Sequence, residues 1–168
     1  EAHFLRGMYY FILVRYFGDI PLILEPMAPG GDLRPFRTDK ALVYDQIKED
    51  RGNAIDLLPA KSAYSSNDLG RATTGAATGL LAKVHLTLGE YDEVVTLTNE
   101  VTALGYALNQ DYSANFDVLN KNSQESLFEV QYVSDAGEGF WDNENQSSWL
   151  STFTGPRNSD MVAGGWGW

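Results

Sequence analysis

Apolar residues fall nearly all round the helical wheel between residues 2 and 17: Phe4, Leu5, Met8, Tyr9, Phe11, Ile12, Leu13 and Tyr16 leave no wide polar stripe. That pattern predicts a helix packed on several sides. It should end at Gly18, with Asp19 and Pro21 preventing continuation. Residues 18–38 hold four of the chain's six prolines (Pro21, Pro26, Pro29 and Pro35) and the Gly30-Gly31 pair, so an extended, irregular linker is expected there.

A second helix is predicted from Asp39 to Leu58, capped by Thr38 or Asp39 and closed by Pro59. Its apolar stripe is Val43, Tyr44, Ile47, Ala54, Leu57 and Leu58. Gly52 interrupts it at a cost of about 1 kcal/mol relative to Ala. Residues 60–71 are polar and read as loop. A third helix spans Thr73 to Leu88, with Leu80, Leu81, Val84 and Leu88 on one face. Ala72, Ala76, Ala77, Gly79 and Ala82 keep its other surface thin, so a neighbouring helix can approach closely.

Gly89 breaks the third helix. A fourth follows from Tyr91 to Leu104, carrying Val94, Thr98, Val101 and Leu104, with acids in its first turn and Gly105 as its stop. So short a turn predicts antiparallel packing of the third and fourth helices. Ser126 to Val133 alternates enough to predict a strand, its apolar face beginning at Leu127 or Phe128. Residues 134–168 are rich in Gly, Asn, Ser and Trp and read as a long loop region.

Charge and composition narrow the functions available. The chain has 168 residues, 43% of them hydrophobic, enough for one ordinary packed core. Its net charge of −11 repels phosphate backbones and anionic headgroups, whereas a neutral sugar meets no such penalty. The most apolar stretch, Gly7 to Val14, rises only about 12 Å as a helix against the roughly 30 Å of a bilayer core. There is no cysteine, hence no disulfide or thiolate site. The first residue is Glu and the apolar pattern is already running by Phe4, so a segment of a larger protein is expected.

The hairpin at 78–104 follows the tetratricopeptide spacing in part: Leu81-Ala82, His85, Gly89, Tyr91, Val94, Thr98 and Val101 fall at the pattern's positions. Ala82 supplies the small crossing residue and Tyr91 the aromatic anchor, while Val94 and Val101 replace the usual alanines. A wider order is more specific. Arg15-Tyr16-Phe17-Gly18-Asp19-Ile20-Pro21-Leu22 resembles the Phe-Gly-Asp-(Val/Ile)-Pro-Leu signature of SusD/RagB proteins. Three later stretches resemble the same family in the same order: Val43-Tyr44-Asp45-Gln46-Ile47 through Leu57-Leu58-Pro59, Gly70-Arg71-Ala72-Thr73 through Leu81-Ala82-Lys83-Val84, and Glu125-Ser126-Leu127-Phe128-Glu129-Val130-Gln131-Tyr132. The resemblance covers residues 1–133. Arg51-Gly52 departs from it, standing where the family usually has an apolar residue and a helix former.

The resemblance implies a mainly α fold: tetratricopeptide-like hairpins in a SusD-like superhelix, with a minor strand and long irregular loops. Residues 1–133 would be the scaffold and 134–168 the start of a ligand-binding part. It also implies a non-catalytic surface lipoprotein of the outer membrane, without cofactor. Such a protein captures oligosaccharides and passes them to a TonB-dependent, SusC-like transporter. A helical-repeat adaptor for proteins and a glycoside hydrolase fragment are the rival readings.

Candidate ligand contacts are Trp141, Trp149, Asn143 and Trp166. All four tryptophans lie from residue 141 on, beside Asn143, Asn145, Gln146 and Asn158, and sugars need flat apolar faces together with amide partners. The bland alternative is that these rings pack loops onto helices. Gly18-Asp19-Ile20-Pro21 reads as structural punctuation, and Arg71 as a bridge between elements. His3 and His85 lack zinc-ligand spacing, Asp111 to Asn122 lacks the calcium-loop pattern, and no nucleophile or nucleotide fingerprint is present, so neither a metal nor a catalytic residue is assigned.

Overall fold

The computed structural model describes residues 1–28, 30, 34–117 and 119–131. Residues 1–129 form one compact unit, and Val130 begins a second. Among the described residues the first unit has four α-helices: α1 (Ala2–Phe17), α2 (Lys40–Leu57), α3 (Thr74–Leu88) and α4 (Tyr91–Ala103). Every boundary lies within one residue of the expected one. Short 3₁₀ turns occur at Lys61–Ala63, Ser66–Asp68 and Tyr112–Phe116.

The caps account for the boundaries. Asp39 accepts a hydrogen bond from Ala41 N at 2.7 Å and Thr73 one from Ala76 N at 3.0 Å, each a capping contact of about 1 kcal/mol. Gly18 ends α1 at φ 68 and ψ −122, backbone that only glycine adopts readily. Gly89, at φ 78 in the left-handed region, turns α3 into α4 within two residues, so the hairpin is antiparallel, as expected. Helix α2 runs unbroken through Gly52.

The helices pack in chain order, α1 on α2, α2 on α3 and α3 on α4, with α1 also touching α3. Two apolar clusters lie between them. One gathers Phe4, Ala54, Leu58, Ala72, Ala76 and Ala77, with Phe128 packed against it. The other gathers Phe11, Val14, Ile20, Val43, Ile47 and Val84. Each fully buried large side chain contributes on the order of 1.5–3 kcal/mol.

Helix α3 receives its neighbours on the thin surface, as expected, and buries Val84 from the leucine face. Its buried residues are Gly75, Ala76, Ala77, Thr78, Ala82 and Val84, whereas Leu88 is exposed and Leu80 and Leu81 are half-buried. The thin surface is the core because neighbours press onto it. A Cβ on Gly75 would lie 2.2 Å from Tyr106 Cε2, and one on Gly79 2.6 Å from Leu127 Cδ1. Helix α2 differs likewise, for Leu57 is 73% exposed while Arg51 is buried. In α4 the buried residue is Leu97, between the half-buried Val94 and Val101.

The linker's ends are fastened to one another. Ile20 and Thr38 form an isolated antiparallel bridge, with N···O distances of 3.2 and 2.9 Å. Asp19 Oδ1 accepts from Lys40 N at 2.9 Å, and Arg37 donates to the carbonyls of Asp19 and Phe17, both at 2.7 Å. Residues 126–131 run as irregular backbone with no strand pairing among the described residues, and 132 and 133 lie outside them. Phe128 nonetheless faces the core, edge-on to Phe4 at 5.0 Å.

Candidate functional site

Trp141, Trp149, Asn143 and Trp166 lie outside the described residues. Within the first unit three polar constellations stand out. The first joins α1 to α2. Asp50, fully buried, accepts from Arg6 Nη2 at 2.6 Å and Nε at 2.8 Å, and its Oδ1 meets His3 Nδ1 at 2.9 Å. Burial works to raise its pKa, yet the hydrogen bonds from Arg6 and His3 win and hold it below the ordinary range. Both oxygens thus tie α2 to α1.

The second constellation fastens the segment after α4. Lys61 Nζ donates to the carbonyls of Asn122, Ser123 and Ser126 at 3.0, 2.7 and 3.1 Å, and stands 5.4 Å from the Tyr106 ring centre. Beyond this clasp lies an amide network that sequence reasoning inspected only for calcium. Asn109 Nδ2 bonds Asn115 Oδ1 at 2.6 Å, and Glu125 Oε2 accepts from Asn109 N and Asn115 Nδ2 at 2.9 and 3.0 Å. The signal that could have found it is the density of Asn and Asp from 109 to 122. Tyr112 and Phe116, edge-to-face at 5.4 Å and largely exposed, stand on the turn this network braces.

The third is at the end of the bundle where α1 stops and α3 turns into α4. An open groove of ≈ 690 Å³ runs past Arg15, Lys40, Tyr44, Asp45, Lys48 and Glu90. Beside it a recess of ≈ 580 Å³ is lined by His85 and Gly89 through Glu93. Glu90, shared by both, bonds His85 and accepts from Lys48 Nζ at 3.4 Å. His85 thereby serves the hairpin, as its position in the sequence suggests.

The electrostatics favour fixed ions over proton transfer. Glu90 sits below its usual pKa, chiefly through the His85 hydrogen bond. Glu1, Asp68, Asp111 and Glu125 are lowered too, mainly by hydrogen bonds from Arg71, Ser65, Ser113 and Asn109 respectively. A glycosidase acid needs the opposite displacement. Among the described residues no cluster of three or more His, Asp or Glu could hold a metal ion. Arg71 bridges as expected, pairing with Glu1 at 2.6 Å and Asp68 at 3.0 Å.

Known proteins share this architecture. The family model described as SusD-like, starch-binding associating with outer membrane, matches residues 1–86. A SusD-like protein of Bacteroides ovatus is 31% identical over 79% of this chain and 26% of its own length. A laminarin-binding SusD-like protein of known structure is 32% identical, with a TM-score of 0.87 over 94% of this chain and 36% of that one. A structure solved with a xylogluco-oligosaccharide is 30% identical, with a TM-score of 0.75 over 98% of this chain and 33% of that one. The chain thus spans about a quarter to a third of the proteins it matches. With half its residues under the family model and its helices superposing on solved members, this chain belongs to the SusD-like family.

Proposed function

We propose that the chain is the scaffold part, and the beginning of the ligand-binding part, of a non-catalytic protein that captures oligosaccharides. The captured glycan passes to a TonB-dependent, SusC-like transporter, and a lipid anchor holds the protein at the cell surface. The observation that carries this reading is the likeness to the laminarin-binding protein over almost the whole chain. A net charge of −11 agrees with a neutral ligand. Within this reading Trp141, Trp149 and Trp166 offer stacking faces and Asn143 an amide to the sugar hydroxyls.

Isothermal titration with laminarin and xyloglucan oligosaccharides, with a reducing-end assay on the same samples, tests it. Saturable binding without release of reducing ends is the expected result. Trp141→Ala and Trp149→Ala should each weaken binding while the far-ultraviolet circular dichroism stays unchanged. Release of reducing ends, or no binding to any neutral glycan, would overturn the proposal.

A further inference from the structure

An amine joins the loop after α2 to the segment after α4. Lys61 is half-buried in the turn Lys61–Ala63, and its Nζ reaches carbonyls 61–65 positions further along the chain. An ammonium group has three N–H donors and no acceptor. Three carbonyl oxygens meet it, those of Asn122, Ser123 and Ser126, at 3.0, 2.7 and 3.1 Å. The centre of the buried Tyr106 ring lies 5.4 Å away.

The backbone is shaped for this convergence. Asn122 holds φ at 53, a left-handed conformation rare outside glycine. Its N–H donates to Glu129 Oε1 at 3.1 Å, Ser126 N–H to Ser123 O at 3.1 Å, and Ala107 N–H to Gln124 O at 3.2 Å. Carbonyl dipoles aimed at one point repel one another unless positive charge stands there. Burial draws the Lys61 pKa down and the Glu129 charge opposes. One oxygen for each N–H, with an aromatic face nearby, replaces the water the ammonium gives up. Arg suits these oxygens less well, because its donors lie in a flat fork rather than a tripod. A recess of ≈ 160 Å³ beside the clasp, lined by Lys61, Leu104, Gly105, Tyr106, Asn122 and Gln124, has room for a small amine.

We propose that these three carbonyls and the Tyr106 ring form a binding site for a primary ammonium ion, filled by Lys61. Its occupancy decides whether residues 122–126 keep their turn. Through Glu125, which accepts from Asn109 and Asn115, the same turn fixes where the Tyr112 and Phe116 rings stand. This inference stands independently of the glycan reading.

Hydrogen exchange with amine rescue, on the polypeptide at its natural length, tests it. In Lys61→Ala the amides of Asn122 and Ser126 should exchange about tenfold faster, as loss of a charge-assisted hydrogen bond requires. Methylammonium should restore their protection, whereas tetramethylammonium, with the same charge and no N–H, should not. Unchanged exchange in the variant, no rescue by methylammonium, or equal rescue by both cations would each overturn the proposal. If the variant does not fold, the wild-type ammonium protons decide, followed by heteronuclear NMR of lysine-labelled protein. Exchange with water several-fold slower than in free lysine is the expected result, and exchange as fast as in free lysine would overturn it.

Discussion

Arg51 is the largest fully buried side chain of the described unit, and none of its three guanidinium nitrogens has a hydrogen-bond partner among the described residues. It lies over the Phe4 ring at 4.4 Å, in space that Gly7 leaves open: a Cβ there would stand 3.1 Å from Nε. Burial pulls its pKa down to about 10, with the neighbouring Asp50 charge opposing. A cation whose folded pKa is depressed destabilises fully below that pKa, and the cost fades as pH rises through it. Arg51→Met should therefore stabilise the protein at neutral pH by about 1–4 kcal/mol, read as a higher urea midpoint with an unchanged m-value. The position was legible: Val43, Ile47, Arg51, Ala54 and Leu58 form one helical stripe. Arg51 stands where the family usually has an apolar residue; its charge argues for exposure, whereas the period argues for burial and wins.

Among the elements, helix ends were legible because Asp39, Thr73, Gly18 and Gly89 are chemically suited to the caps they form. The thin face of α3 was legible from its small residues, but not how far Leu81 and Leu88 stay outside the core, since hydrophobicity ranks Leu above Ala while close approach rewards the smaller residue. Two glycines make this testable. Gly52→Ala meets nothing within 4 Å and should stabilise α2 by up to about 1 kcal/mol. Gly75→Ala drives a methyl into Tyr106, which is buried and held by Thr73 at 2.9 Å. It should destabilise by about 1–3 kcal/mol despite the better helix propensity. Thermal or urea melts of the two variants should move in opposite directions.

For the whole molecule, charge and ion pairs work together as pH falls. Asp50 and Glu90 titrate below their ordinary values of 3.8 and 4.5. The folded state binds these protons less readily than the unfolded one. Their contribution is thus complete above the ordinary carboxylate range and is lost as pH falls through it toward the folded values. The sequence pI of about 4.4 lies in the same window, where repulsion between molecules vanishes while Tyr9, Ile12 and Tyr16 of α1 stay exposed. Light scattering should peak near that pH, and Tm should drop steeply there. Asp50→Asn should lower Tm at pH 7 and make the acid drop shallower. At this scale the family was legible from motif order, and the structure gives one motif its reason. Gly18 stops α1, Asp19 bonds the first turn of α2, and Ile20 is buried beside Thr38. The ligand contacts were legible only as composition, for tryptophans and amides in a loop reveal which chemistry is available but not which atoms converge.

The closure at Ile20 and Thr38 means that the excursion between them behaves as a tether with both ends nailed down. Lengthening such a tether adds little closure entropy, about 0.6 kcal/mol for each doubling. Near Met27, half exposed and past the Ile23 and Leu24 backbone that Tyr10 and Arg6 hold, foreign sequence such as an epitope or a small reporter domain can be spliced in while α1 and α2 keep their grip on each other.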